Sequence, residues 1–266
     1  MNVMKTENLH VSIKQKPILH RIQFHVKQGE IIGLIGPNGS GKSTLLKAIA
    51  TIHPITNGTI CIFGQDLQSY RQRELAKLLS YVPQDTFIDF DFKAKEVVYM
   101  GRHAHRSRFE TRMEEDFFAV KNAMMQTNTW HLAESSILRL SGGQRQLVLL
   151  AKALAQDTPL IILDEPISAL DIYFQLQVLS LLKRLSEKGK TIMMVLHDLN
   201  LAARYCTKLL LLKKGKVTLF GTPEEVLQED ILQQTYGVLT KVRKDHVTNS
   251  MTVTPLLYRK GKERWG

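Results

Sequence analysis

Apolar residues fall into three textures along the chain. Near the start they alternate with polar ones, at Leu9, Val11 and Ile13 and again at Ile22, Phe24 and Val26. That period of two predicts antiparallel strands with one buried face. Residues 31–35, 160–163 and 192–196 are instead short unbroken apolar runs, as in strands covered on both sides within a parallel sheet. From about residue 93 to 155 the spacing turns helical, and within 113–125 the residues Phe117, Val120 and Met124 recur at three- and four-residue intervals. No internal repeat or linker divides these parts. The expected plan is one α/β domain over residues 1–240, with a mainly parallel sheet, an N-terminal antiparallel β subdomain and a helical subdomain at 93–155 inserted into it. A short basic extension, 241–266, follows.

Composition narrows the class. With 266 residues, 44% of them hydrophobic, the chain can fill a genuine core, which excludes a disordered protein. No apolar stretch approaches the roughly 20 residues of a membrane-crossing helix, and the opening residues lack the pattern of a secretory signal, so a cytosolic location is expected. Cys61 and Cys206 form no CxxC pair and are read as small apolar residues. The net charge of +11 sits at the ends: residues 1–50 carry seven Lys/Arg against two acids, as do residues 241–266, together +10. The C-terminal set is Lys241, Arg243, Lys244, Arg259, Lys260, Lys262 and Arg264. It reads as a solvated surface or one drawn to anionic lipid. Nucleic acid is not favoured, because the tail lacks interleaved aromatics and no nucleic-acid-binding motif occurs.

The strongest local signal is Gly36-Pro37-Asn38-Gly39-Ser40-Gly41-Lys42-Ser43-Thr44, between an apolar strand and a helix-like run. Glycines let backbone N–H groups close around a triphosphate at the positive end of a helix. Lys42 then reaches the β and γ phosphates, and the Ser43 hydroxyl ligates magnesium. This loop alone specifies a P-loop nucleoside triphosphatase.

A second signal is the run 160–163 ending in Asp164 and Glu165. Two adjacent carboxylates at a buried strand end are costly unless a cation sits there, so Asp164 is a candidate magnesium ligand. Glu165, one residue farther out, is placed to polarise the water that attacks the γ phosphate. Gln84, after Tyr81-Val82-Pro83, and His197, after the apolar run 192–196, are two further groups that could converge on that phosphate.

Leu140-Ser141-Gly142-Gly143-Gln144 opens an apolar helix with glycines, a hydroxyl and amides, a second anion-binding helix start. At this point the sequence closely resembles ABC nucleotide-binding domains, and over residues 1–240 the Walker A loop, Q-loop Gln84, signature, Walker B, the D-loop Ser168-Ala169-Leu170-Asp171 and switch His197 follow in family order. The resemblance implies a RecA-like P-loop core and ATP with magnesium as ligands, Gln84 joining Ser43 and Asp164 around the metal. It also implies a head-to-tail dimer of two copies. Ser141, Gly142, Gly143 and Gln144 of one copy would close over ATP held by the other, with Asp171 linking the two sites. Where the family has an aromatic residue to stack on adenine, the aligned position is Ile13.

Residues 98–106 and 197–205 look like the importer branch that serves ferric siderophores, haem and cobalamin. That likeness implies two membrane permease subunits, an extracytoplasmic solute-binding protein, and peripheral residence at the cytoplasmic face. A groove for the permease is expected around Phe87, Ile88, Phe90, Phe92 and the stretch 97–106. The rival reading, a cytosolic ABC ATPase acting on nucleic acid, rests on charge alone.

Overall fold

The computed structural model describes residues 1–84, 90–105 and 113–258. Two long strands open the chain, β1 (Asn2–Ile13) and β2 (Lys16–Lys27), followed by β3 (Ile31–Ile35), α1 (Lys42–Ile49), β4 (Asn57–Ile62), β5 (Gln65–Asp66), α2 (Gln72–Leu78) and β6 (Leu79–Val82). Three helices come next, α3 (Ala94–Tyr99), α4 (Met113–Gln126) and α5 (Gly142–Ala155). The chain then alternates through β7 (Leu160–Leu163), α6 (Ile172–Glu187), β8 (Thr191–Val195), α7 (Leu199–Tyr205), β9 (Lys208–Lys213) and β10 (Lys216–Gly221). It closes on α8 (Pro223–Val226), α9 (Glu229–Tyr236), β11 (Val238–Lys244) and β12 (Met251–Tyr258).

The alternating strands form an antiparallel sheet of order β2-β1-β4-β5, and Leu9, Val11, Ile22, Phe24 and Val26 point inward from it. The continuous apolar runs lie in a second sheet, β10-β9-β3-β8-β7-β6. Its pairs β9-β3, β3-β8, β8-β7 and β7-β6 are parallel, and only β10 runs antiparallel. Every residue of β3, β7 and β8 is buried, because packed elements cover the sheet on both faces. The expected mixed α/β plan with a mainly parallel sheet is thus present. Helices α3, α4 and α5 fall between β6 and β7 in the chain. In α4, Val120 and Met124 are buried whereas Phe117 stays 41% exposed, so the apolar stripe seats its second half only.

The two sheets are tied together at the phosphate loop. The His20 N–H of β2 donates to Gly215 O at 2.8 Å, and the Gly215 N–H donates to Ser40 O at 3.0 Å. Gly215 has φ +74, and a Cβ there would lie 1.9 Å from Ile18 O, so no other residue fits this junction.

The C-terminal end differs from expectation. The boundary expected at residue 240 falls inside β11, which pairs antiparallel with β12. Val253 is 5% exposed and belongs to the main core, so the segment is a hairpin packed on the body rather than an extension in solvent. Lys241, Arg243 and Lys244 face outward, and their charge hides the alternation of Val242, Met251 and Val253 that seats the inner side. Arg259, Lys260, Lys262 and Arg264 lie outside the described residues. Both cysteines are free, Cys206 buried and Cys61 half-buried. No helix among the described residues is long and apolar enough to cross a membrane.

Candidate functional site

Strand order explains the site. The C-terminal ends of β3, β8, β7 and β6 lie side by side and deliver the phosphate loop, His197, the Asp164/Glu165 pair and Gln84 in that sequence. Neighbouring strands are about 4.8 Å apart, so the row spans about 14 Å. A cleft of about 730 Å³ opens there, lined by Ile18, Asn38 to Thr44, Gln84, Glu165 and His197.

The phosphate loop is shaped by close packing. Gly36 has φ +142, and a Cβ there would sit 2.1 Å from Leu212 O. The Lys42 ammonium donates to Gly36 O at 2.8 Å and to Pro37 O at 3.0 Å, which holds the loop around its own cation. Burial pushes the Lys42 pKa below its usual value, against the opposing pull of the Glu165 and Asp164 carboxylates. The buried Ser40 hydroxyl has no hydrogen-bond partner among the described residues, as fits a group set aside for a ligand.

Beyond Lys42, the Ser43 hydroxyl donates to Asp164 Oδ1 at 2.9 Å, and the Tyr81 hydroxyl donates to Asp164 Oδ2 at 3.4 Å. Asp164 is 1% exposed, and burial raises its pKa, with the Ser43 hydrogen bond and the Lys47 charge pulling the other way. Burial raises Tyr81 as well, aided by the Asp164 charge. A hydroxyl and a buried carboxylate in contact are a hard-oxygen donor set of the kind magnesium takes alongside phosphates. Glu165 adopts φ +52, a left-handed conformation uncommon for a residue with a Cβ. Its carboxylate is held on both sides: Gln84 Nε2 donates to Oε2 at 2.8 Å, and His197 Nε2 lies 2.7 Å from Oε1.

Thus Lys42, Ser43, Asp164, Glu165, Gln84 and His197 converge. Ser141, Gly142, Gly143, Gln144 and Asp171 do not line the cleft. Ser141 caps α5 through a reciprocal pair, the Gln144 N–H donating to Ser141 Oγ at 3.2 Å and the Ser141 N–H to Gln144 Oε1 at 3.0 Å. Asp171 caps α6 by accepting the Phe174 N–H at 3.0 Å. These two segments touch, since a Cβ on Gly143 would meet Leu170 Cδ2 at 3.2 Å. Ile13, at the end of β1, is also absent from the lining, where Ile18 of β2 is present. Two contributors escaped the sequence: Ile18 and the Asp164 partner Tyr81. The sequence signal for Tyr81 was only its place two residues before Pro83.

In the expected permease groove, Phe90 is 71% exposed and Phe92 packs partly against the core, with ring centroids 6.1 Å apart. Phe87, Ile88 and Arg106 lie outside the described residues. Val97 is buried, and Arg102 turns inward to Asp116, Nε to Oδ1 2.9 Å, so these two do not present a surface.

Comparison with known proteins agrees with this geometry. The ABC transporter family profile matches residues 19–168. The chain is 35% identical over 254 residues to the ferric enterobactin transport ATP-binding protein of Escherichia coli K12, covering 95% of this chain and 94% of that one. It is 40% identical over 250 residues to the iron(3+)-hydroxamate import ATP-binding protein of Bacillus subtilis, covering 94% and 93%. A cobalamin import ATP-binding protein of Halobacterium salinarum is 37% identical over 93% of this chain, which spans only 62% of that relative's length. Among solved structures, an inward-facing ABC transporter assigned to the metal-chelate type superposes with a TM-score of 0.83 at 30% identity, covering 97% of this chain and 98% of its own. A dimeric bacterial ABC transporter cassette gives 0.75 at 29% identity, covering 83% and 98%.

Proposed function

Because this chain belongs to the ABC transporter family, we propose that it binds and hydrolyses ATP to drive import of an iron siderophore, haem or cobalamin-type solute. The observation that carries this reading is the Glu165 carboxylate, bracketed by Gln84 and His197 in the cleft that also holds Lys42. Lys42 binds the β and γ phosphates, and the backbone N–H groups of residues 38–41 close around them. Ser43, Asp164 and Gln84 would hold magnesium, which would supply positive charge beside the phosphates. Glu165 orients the attacking water and takes its proton, while His197 fixes the carboxylate and faces the γ phosphate.

Ser141 to Gln144 supply the donors missing from the open side of a second copy's cleft, and Asp171 ties the two sites. A flat aliphatic contact from Ile18 takes the place of an aromatic stack on adenine, the part first expected of Ile13. The partners are two membrane permease subunits, which this chain meets at the cytoplasmic face, and an extracytoplasmic solute-binding protein that feeds them. The named relatives, described as transport and import ATP-binding proteins, support import over the nucleic-acid reading.

The test is Glu165→Gln in the full-length chain. Loss of a general base typically costs about 100- to 10,000-fold in rate, so turnover should fall by that factor while ATP binding persists and the ATP-bound dimer accumulates. Near-normal hydrolysis would remove Glu165 from the role and with it the proposed mechanism.

A further inference from the structure

The stretch that follows His197 contains one polar contact that ATP hydrolysis as described leaves unused. His197 is joined through Asp198 to α7, and Asp198 caps that helix by accepting the Asn200 N–H at 2.7 Å and the Leu201 N–H at 3.0 Å. The Asn200 side chain points elsewhere: its Oδ1 accepts the backbone N–H of Val253 at 2.7 Å, across 53 residues of sequence. Val253 lies in β12 and is 5% exposed, and it shares the main core with Ala202, Ala203 and Tyr205 of α7.

The hairpin that supplies this donor is anchored at its other end. Glu229 of α9 accepts the Val242 N–H at 3.0 Å and pairs with Lys241 at 3.1 Å. Tyr236, the last residue of α9, packs against the main core, and Lys213 donates to Gln234 O. Segment 229–258 therefore meets α7, the helix that follows His197, at Asn200.

We propose that Asn200 is a positioning residue for hydrolysis. By accepting the Val253 amide it locks α7 to the C-terminal hairpin and so holds His197 against Glu165, a role that rests on the ATPase reading above. A helix of seven residues is too short to hold its place by its own hydrogen bonds. Its orientation depends on what it is fastened to, and small displacements at a reacting centre lower rates steeply.

The experiment compares the full-length wild type with Asn200→Leu, which keeps the size but removes the acceptor, and Asn200→Asp, which keeps the acceptor. Turnover at saturating magnesium-ATP, equilibrium ATP affinity and thermal midpoint are measured for each. Losing one such hydrogen bond corresponds to about a three- to tenfold effect. Asn200→Leu should lose that much turnover with ATP affinity unchanged within about twofold, and Asn200→Asp should recover it. Val253→Pro removes the donor and should reproduce the loss, and the double variant should be no slower than either single one. It also carries the test should leucine at 200 prevent folding.

Wild-type turnover in Asn200→Leu, or in Val253→Pro, would overturn the proposal. So would a parallel fall in turnover, affinity and thermal midpoint that Asn200→Asp fails to repair, since that marks simple destabilisation. Glu165→Gln in the same assay separates the two levels. If it abolishes hydrolysis while Asn200→Leu does nothing, only the positioning role falls; if the wild type hydrolyses nothing, both fall.

Discussion

Two glycine-rich helix starts, at α1 and at α5, carry similar chemistry in opposite states of completion. The start of α1 has no side-chain cap, its N-cap Gly41 sits at φ +103, and the Ser40 hydroxyl beside it is buried with no partner among the described residues. The start of α5 is closed on itself, with Ser141 and Gln144 satisfying each other's backbone donors. One lies in a cleft with a buried lysine; the other lies outside that cleft. The first is therefore held by the Lys42 ammonium and keeps its remaining donors open to the cleft. The second is satisfied by its own residues.

The strongest way to break this contrast is to remove the cation from the open start. Lys42→Ala deletes charge-assisted hydrogen bonds to phosphate worth about 1.5–3 kcal/mol, so ATP affinity should fall about 10- to 100-fold by equilibrium titration. Unchanged affinity would mean that the loop does not hold the triphosphate through Lys42. At the closed start, Ser141→Arg should abolish ATP-dependent dimerisation in sedimentation while leaving single-chain affinity within about threefold. A dimer that persists with ATP would place the signature segment outside the shared site.

The smallest effect is also the most discriminating. Ser141→Ala removes a helix cap and should destabilise the nucleotide-free chain by about 0.5–2 kcal/mol, a drop of a few degrees in thermal midpoint. Ser40→Ala removes a buried hydroxyl that has no partner among the described residues, so it should leave the midpoint unchanged or raised while weakening ATP. Equal losses of stability at both positions would erase the distinction between an open and a closed start.

What could be read from the chain beforehand depended on how local each signal is. The phosphate loop is contiguous, and its glycines and lysine state their chemistry within nine residues. Asp164 and Glu165 were legible because paired carboxylates at the end of a buried strand call for a cation. Gln84 and His197 were visible only as candidates, because their meeting at Glu165 depends on β6 and β8 lying on either side of β7. Ile18 was missed for a related reason. The β1-β2 pairing carries several register shifts, so position along a strand did not reveal which aliphatic residue reaches the cleft. Tyr81 needed β6 beside β7, and Asn200 needed a hairpin whose basic outer face concealed its apolar inner one.

The order of the parallel sheet also bears on how the protein is made. β3, which launches the phosphate loop, is hydrogen-bonded between β8 and β9, and the Ile31 N–H donates to the Thr207 hydroxyl 176 residues later. The Ser40 carbonyl waits for Gly215. A chain growing on the ribosome thus displays its nucleotide motif early but lacks the walls that shape it until most of the polypeptide has emerged. Contacts of such long separation form late and slowly. Competence for ATP then becomes a mark of completed synthesis, and an unfinished subunit has no folded cleft with which to engage nucleotide or a partner.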